Sequence, residues 1–157
     1  MNWKLVWILS VVVGLVMGIL SLLRIESAAI GWAITLGVSF VCAILLVLKT
    51  PGRYFLHGFW TGFLFTLIET FVAAVFPDTF MRANPDFATQ YSQLPVAMHP
   101  RVFLLLAAPF GALLGGLILG VVTWIVSKIL GPERPAPSSE PPPPPPAPPS
   151  EGAPPAL

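Results

Sequence analysis

The sequence predicts an all-α membrane protein with four antiparallel transmembrane helices arranged as two hairpins. Four long apolar runs occupy most of the chain, at residues 3–23, 28–48, 54–76 and 102–130. Each run reaches the length of about 20 residues that a helix needs to cross a bilayer. Charged residues make up only 10% of the chain, whereas a soluble domain carries roughly 25%. Within the four runs, Glu69 is the only acid.

The first run is expected to stay in the protein as a transmembrane helix. Lys4 gives it a positive start, and the small residues at 27–29 resemble the cleavage site of a signal peptide. The apolar core of a signal peptide is only about 7–15 residues long, which is shorter than this run. We therefore expect no cleavage at this site.

The links between the first three runs are short. Residues 24–27 join the first run to the second, and residues 49–53 join the second to the third, with Pro51 and Gly52 at the centre. A Pro-Gly pair suits a type II turn. Links of this length favour antiparallel neighbours, so the runs are expected to pair as helical hairpins.

The third loop, residues 77–101, is the only one with room for structure of its own. Asn84 followed by Pro85 is typical of a helix start, since proline suits the first helical position. Three apolar residues then recur on one helical face before Pro95 stops the pattern. They are Phe87, Tyr91 and Leu94. The pattern predicts a short amphipathic helix on the outer membrane face, and an irregular loop is the alternative.

Small residues at a spacing of four predict where the helices pack. Lipid tails are as apolar as leucine, so helices in a membrane associate through close packing. The predicted packing residues are Gly14, Gly18, Gly58, Gly62, Ala108, Ala112, Gly116 and Gly120. We expect the stripe in the fourth run to contact another helix of the same bundle, with a homodimer interface as the alternative.

Pro109 lies inside the fourth run and is predicted to kink it. A proline within a helix removes one hydrogen bond, and its ring clashes with the carbonyl four residues earlier, here that of Leu105. The run is also longer than a bilayer requires. Its last residues, 127–130, are expected to reach the headgroups before Gly131 and Pro132 end the helix.

The presence of an acid, Glu69, inside an apolar run requires a structural or functional explanation. A charged side chain at the bilayer centre costs about 2.5–3.5 kcal/mol or more, so such residues face protein or water. Glu69 is expected roughly 10 Å inside the outer boundary, where Thr35 and Ser39 of the second run have similar depth. The three residues form a candidate intramembrane polar site in which Glu69 donates a hydrogen bond. Its role is expected to be structural, and a proton or cation site is the alternative.

The distribution of Lys and Arg predicts the orientation. Four spans place both termini on one side of the membrane, and basic residues favour the cytoplasm. The side of the termini carries Lys4, Lys49, Arg53, Lys128 and Arg134. The opposite side carries Arg24, Arg82 and Arg101. We therefore expect a multi-pass protein of the cell membrane with cytoplasmic N- and C-termini.

No catalytic, cofactor or metal-binding set can be assembled from these residues. His57 and His99 fall on opposite sides of the membrane in this topology, and both are expected at its surface. The single cysteine, Cys42, lies inside the second run and is expected to pack as a small apolar residue. There is no basic stripe of the kind that binds nucleic acid. We predict no enzyme activity, no cofactor, no metal and no nucleic-acid partner.

Proline dominates the chain after residue 130, and residues 141–146 are consecutive prolines. Because proline fixes φ and lacks a donor, this composition favours solvated polyproline II. We predict a disordered cytoplasmic tail at residues 131–157, separate from a transmembrane domain at residues 1–130. A spacer without a partner is expected, and a docking peptide for a cytoplasmic protein is the alternative.

Three features of the second half of the chain are similar to features of a known protein family. They are the glycine-spaced third run, the motif Asn-Pro-Asp-Phe at residues 84–87, and His-Pro-Arg-Val-Phe at residues 99–103 before a glycine-rich run that ends at Lys128. With these features the chain resembles an uncharacterised family of small four-span bacterial membrane proteins, defined only as a domain of unknown function. The resemblance implies a bacterial inner membrane and a four-helix architecture, and it implies no activity. The proline tail departs from the family pattern.

Together these observations predict a non-enzymatic scaffold or accessory subunit that packs in the lipid bilayer with itself or with another membrane protein. The alternative is a small transporter or ion-coupled component that uses Glu69. A water-filled cavity at Glu69 would favour transport, whereas close-packed walls would favour the scaffold.

Overall fold

A computed structural model describes residues 2–23, 28–94 and 98–130. The described elements are all α-helices: α1 (Trp3–Ser21), α2 (Ala28–Lys49), α3 (Tyr54–Val75), α4 (Pro77–Ala83), α5 (Pro85–Ser92) and α6 (Pro100–Leu130). The predicted all-helical fold class is confirmed for this part of the chain. The helices α1, α3 and α6 are long and apolar enough to cross a membrane, and the segment Ala33–Lys49 of α2 is a shorter apolar helix.

Local chemistry explains where α1 and α3 begin. The side chain of Asn2 caps α1 by accepting a hydrogen bond from the backbone N–H of Leu5 at 3.3 Å. Before α3, Gly52 has φ 126° and Arg53 has φ 51°. The chain thus reverses through two left-handed residues, of which glycine adopts that conformation at little cost and arginine does not.

The helix α3 lies between α1 and α6. Along α1, Gly14 packs on Ile68 and Gly18 packs on Val72, so α1 and α3 run in the same direction. Along α6 the order is reversed, since Gly58 of α3 meets Thr123 and Gly62 meets Gly115. The helices α3 and α6 are therefore antiparallel, and they form the largest helix interface of the described residues.

The helix α2 packs mainly on α6 and makes few contacts with α1. Its residues Cys42, Ala43 and Val47 join Leu119 and Val126 of α6 in a buried apolar cluster. In the structure, then, the first two long helices are not the closely packed neighbours that the short link suggests. The reason is that α1 is fitted to α3 through its glycines, which leaves α6 as the apolar face for α2.

The segment between α3 and α6 forms one end of the bundle, which we call the loop end. The other end, with Asn2, residues 50–53 and Leu130, is called the turn end. The predicted helix after Asn84 is confirmed as α5, whereas α4 was not predicted. The sequence did carry a signal for α4, because Pro77 followed by Asp78 is itself typical of a helix start.

Aromatic contacts hold the two loop helices against α6. The rings of Phe80 and Phe87 lie 5.3 Å apart, and the ring of Phe103 lies 6.1 Å from Phe87 and 5.4 Å from Tyr91. The predicted face of α5 thus supplies Phe87 and Tyr91 to this cluster. Leu94 lies beyond the end of α5 and is exposed.

Several predictions concern residues outside the described part of the chain. They are the link at residues 24–27, the helix stop at Pro95 and the proline-rich tail at residues 131–157.

Candidate functional site

The interface of α3 and α6 is built by glycines that bring the two backbones together. A Cβ atom at Gly62 would lie 2.6 Å from the carbonyl oxygen of Gly115, and one at Gly58 would lie 2.6 Å from that of Leu119. From the side of α6, a Cβ atom at Gly116 would lie 2.9 Å from the carbonyl oxygen of Phe59. Real Cβ atoms do not approach so closely, so only glycine allows this spacing.

The remaining predicted packing residues also lie at contacts within the chain. Gly120 packs on Phe55, and Ala108 and Ala112 are buried. On α1, a Cβ atom at Gly14 or at Gly18 would lie 2.8 Å from the Cβ of Ile68 or Val72, respectively. Within the stripe of α6, Gly116 and Gly120 pack on Phe59 and Phe55 of α3 in the same chain.

Glu69 lies on the side of α3 that faces the bundle. It follows Gly62 by seven residues and Phe65 by four, and it precedes Ala73 by four, so all four residues share one helical face. Phe65 and Ala73 are 5% and 3% exposed, and Glu69 itself is half-buried. Among the described hydrogen bonds and ion pairs, none involves its carboxyl group.

The two hydroxyl groups predicted to join Glu69 both lie on α2. Thr35 donates a hydrogen bond to the carbonyl of Gly31 in its own helix at 3.0 Å. Ser39 is buried in α2. Within the described residues, no hydrogen bond connects either hydroxyl to Glu69, so the grouping of the three residues remains a prediction.

Pro109 lies within α6, which continues as one helix from Pro100 to Leu130. Leu105, whose carbonyl the proline deprives of a helix bond, is half exposed at 46%. The predicted kink stays a prediction.

At the turn end, His57 is buried and hydrogen-bonded on both ring nitrogens. Only 2% of the residue is exposed. Nδ1 lies 3.0 Å from the carbonyl oxygen of Arg53, which can only accept, and Nε2 lies 3.0 Å from the backbone N–H of Asn2, which can only donate. The ring therefore carries its proton on Nδ1. The predicted position of His57 at the membrane surface stays a prediction, and its burial within the bundle was not predicted.

A layer of buried hydroxyl groups lies between His57 and the middle of the bundle. Ser10, Thr61 and Thr123 are each 0% exposed. Ser10 donates to the carbonyl of Thr61 at 3.2 Å, and Thr123 donates to the carbonyl of Leu119 at 2.7 Å. Thr61 Oγ1 has no hydrogen-bond partner among the described residues. Sequence reasoning missed this layer, although Gly58 and Gly62 on either side of Thr61 mark where helices approach.

Comparison with known proteins identifies no relative of this chain. No protein-family profile, no curated protein and no solved structure matches the chain. The resemblance to the four-span bacterial family thus remains a prediction. What the structure shows is a helical bundle whose three long apolar helices are typical of a membrane protein.

Proposed function

We propose that the chain is a four-pass integral protein of a bacterial inner membrane, with both termini in the cytoplasm. The directions of the helices support this topology. The helices α1 and α3 point one way and α6 points the other way, while the end of α2 lies beside Leu130 at the end of α6. With 22 residues, α2 is about 33 Å long at 1.5 Å per residue, which matches a hydrocarbon core of about 30 Å.

The outer surface of the bundle also supports lipid as its surroundings. Large apolar side chains are exposed on every long helix, including Ile8 at 61%, Leu48 at 64%, Phe71 at 61% and Phe110 at 75%. Soluble monomers rarely expose contiguous apolar patches of more than a few hundred Å². In a bilayer the same residues face acyl chains.

We further propose that the protein acts as a non-enzymatic scaffold or accessory subunit. The observation that carries this proposal is the close approach of the backbones at Gly62 and Gly115, which packs α3 tightly against α6. Glu69 lies on the same face of α3 as buried Phe65 and Ala73. Dense packing on this face favours a structural role for the acid over a water-filled path.

Co-purification tests the scaffold role. The protein is extracted from native membranes in mild detergent, and its companions are identified by mass spectrometry. The expected result is one companion at a fixed ratio, which Glu69→Gln retains because an amide still forms hydrogen bonds. Asp86→Asn serves as the matched control, since Asp86 is an exposed acid outside the long helices. Purification without any stoichiometric companion would contradict the proposal.

A small ion-coupled transporter is the second candidate, and the half-buried acid on the bundle face favours it. This function predicts proton flux into liposomes that contain the purified protein alone, measured with a pH-sensitive dye. Flux in the wild type that Glu69→Gln abolishes and Asp86→Asn preserves would establish it. Absence of flux in a preparation that retains its companion would favour the scaffold.

Cysteine labelling tests the topology. After Cys42→Ala removes the native thiol, a cysteine is placed at Ser92 in the loop end or at Arg53 in the turn end. A membrane-impermeant maleimide added to intact cells is expected to label Ser92→Cys and not Arg53→Cys. The reverse pattern would invert the orientation, and labelling of both positions would contradict the four-pass topology.

A further inference from the structure

Three grooves at the loop end share lining residues and form one continuous channel on the surface. The first is polar and is lined by Asp78, Arg82, His99 and Arg101, among others. The second shares Val75 and Arg101 with it and continues along Phe71 and Leu105. The third shares Phe71 and Leu105 with the second and extends to Ala108 and Pro109. A basic end therefore leads into an apolar trough between α3 and α6.

The basic end is held in place by hydrogen bonds. Arg101 donates from Nε to the carbonyl of Ala74 at 3.0 Å and from Nη2 to the carbonyl of Val75 at 3.3 Å, at the end of α3. Within the described residues, Nη1 of Arg101 has no hydrogen-bond partner. Arg82 donates from Nε to the carbonyl of Asp78 at 3.3 Å, so both guanidinium groups are oriented before any ligand binds.

His99 adds a third donor to this end. Its Nδ1 accepts a hydrogen bond from the backbone N–H of Arg101 at 3.2 Å, which places the proton of the neutral ring on Nε2. With two guanidinium groups and the carboxylate of Asp78, the charged side chains that line the groove sum to +1.

We propose that the channel binds one anionic glycerophospholipid from the leaflet at the loop end. The phosphodiester lies against Arg82 and Arg101, since guanidinium groups match phosphate oxygens in geometry and charge. One acyl chain follows the trough past Phe71 and Leu105 towards Pro109. Asp78 accepts a hydrogen bond from a headgroup hydroxyl. This inference depends on the membrane embedding proposed above and is independent of the scaffold role.

Two features favour a phospholipid over free phosphate and favour an anionic lipid over a zwitterionic one. A free phosphate would leave the apolar trough unused, whereas a lipid occupies both parts of the channel. A net charge of +1 on the lining residues complements a lipid with a net charge of −1, whereas the net charge of a zwitterionic lipid is zero. Phosphatidylglycerol has the required charge and two headgroup hydroxyls.

Native mass spectrometry of the full chain in detergent tests the basic end. Phosphatidylglycerol and phosphatidylcholine with identical acyl chains are added at equal concentration, and glycerol 3-phosphate is added in a separate arm. Phosphatidylglycerol is expected to stay bound preferentially. Arg82→Gln is expected to weaken its binding about fivefold, the usual effect of one basic residue near a lipid headgroup. Lys128→Gln, at the turn end, is the matched control and should bind as the wild type does.

Two single substitutions to tryptophan, one in the apolar trough and one beside it, test the binding of the acyl chain. Leu105 lines it, and the neighbouring Leu106 lines none of the three grooves. Both are exposed on α6, at 46% and 58%, so neither substitution is expected to disturb folding, which gel filtration verifies. Leu105→Trp should reduce lipid binding several-fold, whereas Leu106→Trp should leave it unchanged.

Four results would overturn the proposal. They are equal binding of phosphatidylcholine, equal losses for Arg82→Gln and Lys128→Gln, equal losses for the two tryptophan variants, and displacement of the lipid by glycerol 3-phosphate at equal concentration. The last result would assign the basic end to free phosphate esters instead.

Discussion

The backbone N–H of Asn2 donates a hydrogen bond of 3.0 Å to Nε2 of His57, 55 residues further along the chain. The bond joins the start of α1 to the first turn of α3 at the turn end. At the loop end, the side-chain amide of Asn84 donates to the carbonyl of Ser21 at 2.9 Å, in the last turn of α1. Both ends of α1 are thus fastened by polar contacts, while Gly14 and Gly18 fit its middle to α3.

Replacement of His57 by leucine is expected to lower the free energy of unfolding by about 0.5–1.5 kcal/mol, the usual net contribution of one hydrogen bond. The group left without an acceptor is the backbone N–H of Asn2. His57→Gln should lose less, because its amide oxygen can accept the same bond. Unfolding by SDS in mixed micelles measures both values.

His99→Leu is the control for this substitution, since His99 is exposed at the loop end. Its effect is expected to stay within about 0.5 kcal/mol, as is usual for surface positions. If His57→Leu were as stable as His99→Leu, the bond between Asn2 and His57 would contribute nothing to the fold.

Gly62→Ala is expected to destabilise the bundle by about 1–3 kcal/mol, the usual cost of excess volume in a packed core. The new methyl group would lie 2.6 Å from the carbonyl oxygen of Gly115, and a backbone atom cannot rotate away. Gly37→Ala is the matched control on α2, because nothing lies within 4 Å of a Cβ atom there. It should be neutral or stabilising by up to about 1 kcal/mol through helix propensity. Similar melting temperatures for the two variants would refute the close backbone contact.

Much of the fold follows from the hydrophobicity and small-residue patterns. The apolar runs locate α1, α3 and α6 because a helix in lipid must satisfy its backbone within itself and present apolar side chains outward. Proline at the first helical position located α5. The partner of α2 does not follow from these patterns, because a short link limits the distance between helix ends and not the face on which a helix packs.

The polar contacts were less accessible to sequence reasoning. Glu69 stands out as an acid in an apolar run, yet the sequence does not state which neighbours surround it. The burial of His57 was not predicted, because its position near the start of its run does not show which helices surround it. Its burial depends on Asn2, and such a contact between distant residues depends on the packing of α1 against α3 rather than on local sequence.

Arg53 is expected to be a site of local strain. Its φ of 51° lies in the left-handed region, which costs roughly 1–2 kcal/mol for residues other than glycine. Arg53→Gly should therefore raise the free energy of unfolding by up to about 1 kcal/mol, after the greater flexibility of glycine in the unfolded chain is subtracted. Arg53→Val should lower it, since a β-branched residue rarely adopts positive φ.

Unfolding in mixed micelles distinguishes these two variants, and Lys49→Gly provides the comparison. Lys49 ends α2 in ordinary helical conformation, so glycine at that position should only weaken the helix. A loss of stability in Arg53→Gly equal to that in Lys49→Gly would show that no strain is stored at Arg53.

Thr61→Val is expected to stabilise the protein by about 1–3 kcal/mol, the desolvation penalty of a buried group without a partner. Thr61 Oγ1 is such a group among the described residues, and valine has nearly the same volume. Thr123→Val is the matched control, because Thr123 is equally buried and donates to the carbonyl of Leu119 at 2.7 Å. It should be neutral or destabilising by about 1 kcal/mol. Equal changes in the free energy of unfolding for the two variants would mean that the hydroxyl of Thr61 does form a hydrogen bond in the membrane.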